Sequence, residues 1–158
     1  MKIYLVQHGE ALAKEVDPER PLSEQGKLDV RGIGRALKGA GVEVQRMIHS
    51  GKLRARQTAE ILAAEIAPAL PLATSERINP NDDPGAFELA SEFDGVDTMV
   101  VGHLPFMARL ASYLLAGREE PPVVAFKPGS VLCLERDDAG AWAVVWMIRP
   151  EVVRPLSA

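Results

Sequence analysis

The chain has 158 residues, of which 47% are apolar and 25% charged, with a formal net charge of −4. That length and apolar content suit one compact domain over residues 1–158 with a sizeable core, while an acidic balance with no basic cluster or interleaved aromatics lacks the footprint of a nucleic-acid binder. The single cysteine, Cys133 within SVLCLE, excludes an intrachain disulfide and reads as a small packing hydrophobe.

In chain order, KIYLVQ at residues 2–7 is a first strand. Its apolar run IYLV is too short for a secretory signal, and the longest apolar stretch, 99–117, is interrupted by His103, Pro105 and Arg109. A soluble, cytoplasmic protein with no membrane partner is therefore expected. SEQGKLDVRGIGRALKGAG then offers Ser23 as an N-cap, an apolar row at Val30, Ile33 and Leu37, and Gly39 or Gly41 as a stop, which together predict a crossover helix. Gly32 and Gly34 inside it each cost about 1 kcal/mol against alanine, pointing to close packing or fraying. QRMIHS at 45–50 is a second strand, and 52–66 a second helix ended by Pro68. Residues 74–95 read as loop with room for one helix. DTMVVGH at 97–103 is a third strand and 105–116 a third helix, with Pro105 suited to its first turn. Finally VLCLERDD and AWAVVWMI flank Ala139 and Gly140 as an antiparallel hairpin closing the sheet. Short strands alternating with helices predict an α/β fold with a largely parallel sheet.

The strand ends carry the chemistry. In open parallel sheets, sites form beyond the carboxyl ends of the strands, and here those ends hold His8, Ser50 and His103. Helices follow Ser50 and His103, so free N–H groups and positive dipole ends should favour an anion in the same crevice. On the second helix, Arg54 shares a row with Thr58 and Ile61, whereas Arg56 shares one with Glu60 and Ala63. Arg54 should lean toward the crevice and Arg56 should pair with Glu60 at the surface. An inward arginine needs a negative partner, and a phosphate accepting bidentate hydrogen bonds would be one. Two histidines and an arginine around an anion site point to phosphoryl transfer through a covalent phosphohistidine: neutral His8 as nucleophile, His103 donating to the phosphoryl oxygens, and no metal or cofactor. Gly9 after the nucleophile would let the chain turn sharply.

These residues resemble the histidine phosphatase superfamily, also called phosphoglycerate mutase-like, and within it the small SixA-type phosphohistidine phosphatases. The resemblance spans nearly the whole chain and rests on Gln7-His8-Gly9, RPLSEQG at 20–26, HSGKLRARQTAE at 49–60, and Val101-Gly102-His103-Leu104-Pro105. It implies His8 as the phospho-accepting nucleophile, His103 as the second pocket histidine and Arg54 as a phosphate ligand. It also implies a three-layer α/β/α fold, and a phosphohistidine-bearing protein as partner.

Gln7 departs from the family pattern, which usually has arginine there. Losing a guanidinium removes a charge-assisted hydrogen bond worth about 1.5 to 3 kcal/mol, although Gln7 still offers one donor; Arg20, in the flexible DPERPLS loop, reads equally as a residue that reaches in to restore the charge and as a solvated loop residue. A general acid is not evident among Glu10, Glu76, Asp82 and Asp83, an absence that a phosphoramidate tolerates because its imidazole leaving group is readily protonated. Plainer roles compete at other positions: His49 as a packing residue, Ser50 as a cap of the second helix against direct phosphate contact, Met47, Met99 and Met107 as core filler, and the pairs Asp82-Asp83, Glu119-Glu120 and Asp137-Asp138 as solvated loop faces. Alternative readings are a small-molecule phosphomonoesterase of the same superfamily, a catalytically weak phosphate- or phosphopeptide-binding module, and a metal-dependent hydrolase using His8, Glu10 and His103. The last lacks the helical ligand spacing typical of zinc enzymes.

Overall fold

The computed structural model describes residues 1–88 and 94–155. Its strands are β1 (Lys2–Gln7), β2 (Arg46–His49), β3 (Leu72–Thr74), β4 (Thr98–Gly102), β5 (Val131–Arg136) and β6 (Trp142–Ile148), paired in the order β3-β2-β4-β1-β5-β6. The first four in that order run parallel, β5 lies antiparallel to β1, and β6 completes the hairpin with β5. The helices are α1 (Glu24–Gly39), α2 (Leu53–Ile66), the short α3 (Pro84–Phe87) and α4 (Phe106–Ala116).

Side chains of the central strands alternate between two cores, as the period of two requires. Ile3, Leu5, Val100, Leu132 and Leu134 pack with Phe87, Phe106, Met107 and Leu110 on the α3 and α4 face. Tyr4, Val6, Met99, Val101, Val131 and Cys133 pack with Val30, Ile33, Leu37, Ala55, Ala59 and Leu62 on the α1 and α2 face. The sheet is thus sandwiched by helices on both sides, the three-layer α/β/α arrangement expected. Because Ile33 is fully buried, truncating it to alanine should cost about 2–5 kcal/mol.

Local signals explain most boundaries. Ser23 Oγ accepts the Gly26 N–H at 3.0 Å as the α1 cap, and the chain leaves that helix through Gly41 at φ +72°. Gly34 marks close packing, since a Cβ there would lie 3.0 Å from Glu65 Cγ on α2. Several expectations are corrected. Strand β3 was not anticipated, because three residues at a sheet edge carry too little periodicity to register. Pro105 is the N-cap of α4, one residue before the helix, and Lys52 occupies that place for α2. Asp83 is exposed as expected and in addition its Oδ1 caps α3 by accepting the Gly85 N–H at 3.0 Å, while the half-buried Asp82 accepts the Asn79 N–H through Oδ2 at 2.8 Å. Asp137 likewise ties the β5–β6 turn through the Ala141 N–H at 2.8 Å. Of the 74–95 segment, residues 89–93 lie outside the described residues.

Candidate active site

Strands β2, β4 and β1 are neighbours and point the same way, so the residues at their carboxyl ends converge. The chain passes from β1 to β2 across a gap that β4 later fills from the opposite face of the sheet, and such a reversal opens a crevice at the strand ends. His8, Ser50 and His103 meet there.

His8 is held by main chain. Its N–H donates to Gly102 O at 3.0 Å, its carbonyl accepts the Gly129 N–H at 3.1 Å, and its Nδ1 lies 2.7 Å from Gly9 O. A carbonyl oxygen only accepts, so Nδ1 carries the proton and Nε2 keeps its lone pair. Burial, reinforced by the charges of Arg54 and Arg20, pushes His8 down to about 4 against a bond to Gly9 that works the other way. The ring is therefore neutral at physiological pH, with the protonation state of a nucleophile.

The His103 ring centroid is 5.0 Å from that of His8, at an interplanar angle of 54°. His103 is 2% exposed, its Nε2 lies 2.6 Å from Ser50 Oγ, and its buried Nδ1 has no protein partner. Burial first, then His8, Arg54, Lys52 and Arg20, bring it down to about 3. The cations Arg54 and Arg20 act on both histidines, and Lys52 on His103 as well. Arg54, half-buried at the start of α2, has a buried Nε with no acceptor in the protein, and burial and Arg20 both lower its basicity. Clustered cations and a buried guanidinium N–H without an acceptor make this end of the sheet suited to an anion.

Arg20 lies in a loop but is half-buried rather than simply solvated. The segment is pinned by Leu12 N–H to Pro21 O at 2.9 Å and Ser23 N–H to Glu10 O at 2.9 Å, and Arg20 Nε donates to Leu12 O at 3.1 Å. Arg20 has φ +49°, the sole positive value at a non-glycine residue among those described. Left-handed backbone at a residue with a side chain costs of order 1–3 kcal/mol and clusters at functional sites. Gln7, at 8% exposure, closes the β1–β4 register opposite Gly102, and its Oε1 is buried without a partner.

Gly9 serves packing rather than a sharp turn: its φ is not in the left-handed region, but a Cβ would lie 2.6 Å from Val30 Cγ2. Its N–H donates to Thr58 Oγ1 at 2.9 Å, and the Thr58 hydroxyl donates to Arg54 O at 2.8 Å. Thr58 therefore joins the loop of His8 to the helix of Arg54, a role missed from the sequence although its place four residues after Arg54 was noted. Lys52 was missed too. Ser50 does not cap α2; its Oγ accepts the Lys52 N–H only at 3.4 Å and turns to His103. His49 is buried, and its Nδ1 accepts the Gly51 N–H at 3.0 Å, consistent with packing. Arg56 pairs at the surface with Glu60 at 3.6 Å.

The acid candidates are engaged elsewhere or exposed. Glu10 accepts the Ser23 hydroxyl at 2.7 Å, Asp82 and Asp83 bind the backbone amides described above, and Glu76 is exposed. Among the described residues no group of three or more His, Cys, Asp and Glu is arranged to hold a metal ion, and no helix is long and apolar enough to cross a membrane. A groove of about 640 Å³ lies away from this chemistry, along α1 and the C-terminal segment at Gln25, Leu28, Asp29 and Arg154.

Residues 3–80 match the profile of the histidine phosphatase superfamily (branch 1). Over 159 aligned residues the chain is 31% identical to phosphohistidine phosphatase SixA of Escherichia coli (strain K12), covering 95% of this chain and 94% of that one. A structure of the protein histidine phosphatase SixA complexed with tungstate superposes with a TM-score of 0.84 at 26% identity, covering 98% of this chain and 100% of that one. The α-ribazole phosphatase from Shigella flexneri shares the fold at a TM-score of 0.79 and 14% identity, over 95% and 97% of the two chains.

Proposed function

The chain belongs to the histidine phosphatase superfamily, and from that premise we propose that it is a metal-independent phosphatase that removes phosphate from phosphohistidine on a protein through a phosphoenzyme at His8. The carrying observation is His8 itself. Its Nδ1 proton is committed to Gly9 O, leaving the Nε2 lone pair beside His103 and a ring of cations.

His8 Nε2 attacks phosphorus, a P–N bond to His8 forms, and the substrate's P–N bond breaks, its electron pair leaving on the imidazole nitrogen. Arg54 and His103 hold the phosphoryl oxygens as charge moves onto them, and Arg20 supplies the charge that Gln7 does not, with the Gln7 amide adding a neutral donor. Gly9 lets the loop lie close under α1 at the site. Water then attacks phosphorus, the P–N bond to His8 breaks, its electron pair returns to Nε2, and inorganic phosphate departs.

Phosphohistidine is favoured over an ordinary phosphoester by the shortage of an acid. The substrate's imidazole departs neutral when its other ring nitrogen already carries a proton, which an ordinary imidazole pKa of about 6.5 makes available from solvent near neutral pH, whereas an alkoxide needs a positioned carboxylic acid. Of the acid candidates, Glu10, Asp82 and Asp83 are hydrogen-bonded elsewhere in the fold and Glu76 is exposed. The relative whose name states phosphohistidine phosphatase activity, and the tetrahedral oxyanion in the related structure, support the same reading.

The test is hydrolysis of a phosphohistidine-bearing protein and of p-nitrophenyl phosphate side by side, with chelator present. Preferential cleavage of the phosphohistidine, lost in His8→Ala, supports the proposal. Preference for the ester transfers it to the small-molecule phosphomonoesterase reading, and inertness toward both with retained tungstate binding transfers it to a binding module.

A further inference from the structure

Ser50 stands at the end of β2 with its hydroxyl between two nitrogens. Its Oγ accepts the Lys52 N–H at 3.4 Å and lies 2.6 Å from His103 Nε2. A hydroxyl has one proton to give. If His103 carried its proton on Nε2, Ser50 Oγ would accept twice, from Lys52 and from the ring. The hydroxyl proton would be left without a listener between them, and an Nδ1 lone pair would occupy the buried position. If the proton sits on Nδ1, the serine accepts from Lys52 and donates to Nε2, and each of these groups is used once. The buried Nδ1–H then remains as the group without a protein acceptor. A phosphoryl oxygen is an acceptor and not a donor, so only that second arrangement gives His103 something to offer it.

We propose that Ser50 is a positioning residue that holds His103 in its Nδ1–H tautomer, so that His103 meets the transferring phosphoryl group as a neutral hydrogen-bond donor. The role rests on the phosphatase reading above and reassigns Ser50 from helix cap or phosphate ligand to a partner of His103. It also gives the two histidines one shared design: each is neutral and Nδ1-protonated, yet His8 is fixed through Nδ1 by Gly9 O and offers Nε2, whereas His103 is fixed through Nε2 by Ser50 and offers Nδ1. One ring presents a lone pair and its neighbour a proton. The positively charged surroundings act the same way, since Arg54, Lys52 and Arg20 all disfavour a second proton on His103.

The tautomer is read directly by 15N NMR of the imidazole nitrogens at neutral pH, in the resting protein and with tungstate added. The wild type should show His103 protonated at Nδ1 alone in both states. Ser50→Ala should shift His103 toward Nε2–H and lower kcat by about tenfold to a hundredfold, the range of one lost transition-state donor or less, with a smaller change in KM. Ser50→Thr, which keeps the hydroxyl, should restore both the tautomer and most of the rate. An Nε2–H ring in the wild type, a ring protonated on both nitrogens when tungstate is bound, or a Ser50→Ala protein with unchanged tautomer overturns the proposal. Because the resting spectrum needs no substrate, a protein inert toward every phosphorylated probe would overturn the phosphatase reading while the tautomer still decides the role of Ser50.

Discussion

Arg154 and Arg54 are both arginines packed at a helix, and the protein treats them in opposite ways. Arg154 fastens the C-terminal segment to α1 by giving Asp29 two hydrogen bonds, at 2.9 and 2.7 Å, and Asp29, 6% exposed, takes a third from Gln25 at 2.8 Å. That contact holds the Asp29 carboxyl below its ordinary range. Arg54 has no such carboxylate: its buried Nε lacks an acceptor, and the charge acting on it is the like charge of Arg20. The buried Asp29 carboxylate is satisfied inside the chain by the exposed Arg154, whereas the buried Nε of Arg54 is left without an acceptor beside a like charge, an arrangement that an anion from outside would complete. Both regions are polar, so saturation of hydrogen bonds distinguishes them where charge alone does not.

The sharpest way to break that contrast is to remove the nucleophile. His8→Ala should abolish measurable turnover while the protein still binds tungstate, read by calorimetry. Arg54→Ala should lower kcat/KM by about 10²- to 10³-fold, as expected for loss of a donor to developing charge, and Arg54→Lys should recover only part because a point charge does not reproduce a planar fork. Smaller effects belong to the charge relocated from residue 7. Arg20→Ala should cost about tenfold in kcat/KM and Gln7→Arg should offset it in the double variant, one charge-assisted bond being worth about 1.5 to 3 kcal/mol at most; a double variant no better than Arg20→Ala would deny the exchange. On the saturated side, Arg154→Ala should lower the melting temperature and leave kcat unchanged.

The pH dependence follows from the same burial. His8 and His103 are held at about 4 and about 3, below the ordinary 6.5. Between those values the unfolded chain binds more protons than the folded one, so the stability present in full above about pH 6.5 is lost progressively as pH falls to about 3. Melting temperatures measured from pH 7 to 4 should decline, and His8→Ala should make the decline shallower. The free enzyme's kcat/KM should meanwhile show no loss attributable to His8 protonation until pH approaches about 4.

Much of this was legible in the amino-acid sequence for physical reasons. The abrupt ends of KIYLVQ, QRMIHS and DTMVVGH located His8, Ser50 and His103, because parallel strands with helical crossovers must place those ends together. Arg54 and Arg56 separated correctly because helical period assigns faces, and Arg56 does meet Glu60. What escaped depends on distances between elements far apart in sequence. The Thr58 bond to Gly9 spans 49 residues, the Ser50 bond to His103 spans 53, and Gly9 is a glycine because of Val30 rather than its own turn. Arg20 looked like a solvated loop residue because its strained backbone and its tether to Leu12 leave no trace in composition. Strand β3 escaped for the opposite reason, being too short and too exposed for any pattern.

The most direct test of the central claim is a rapid-quench reaction of the wild-type protein with a protein carrying radiolabelled phosphohistidine, followed by mapping of acid-labile phosphate on the enzyme. Transient label is expected on His8 at the Nε2 position and none on His49 or His103, with decay matching the release of inorganic phosphate. Phosphate released at full rate with no label ever passing through His8, or unimpaired release by His8→Ala, would contradict it.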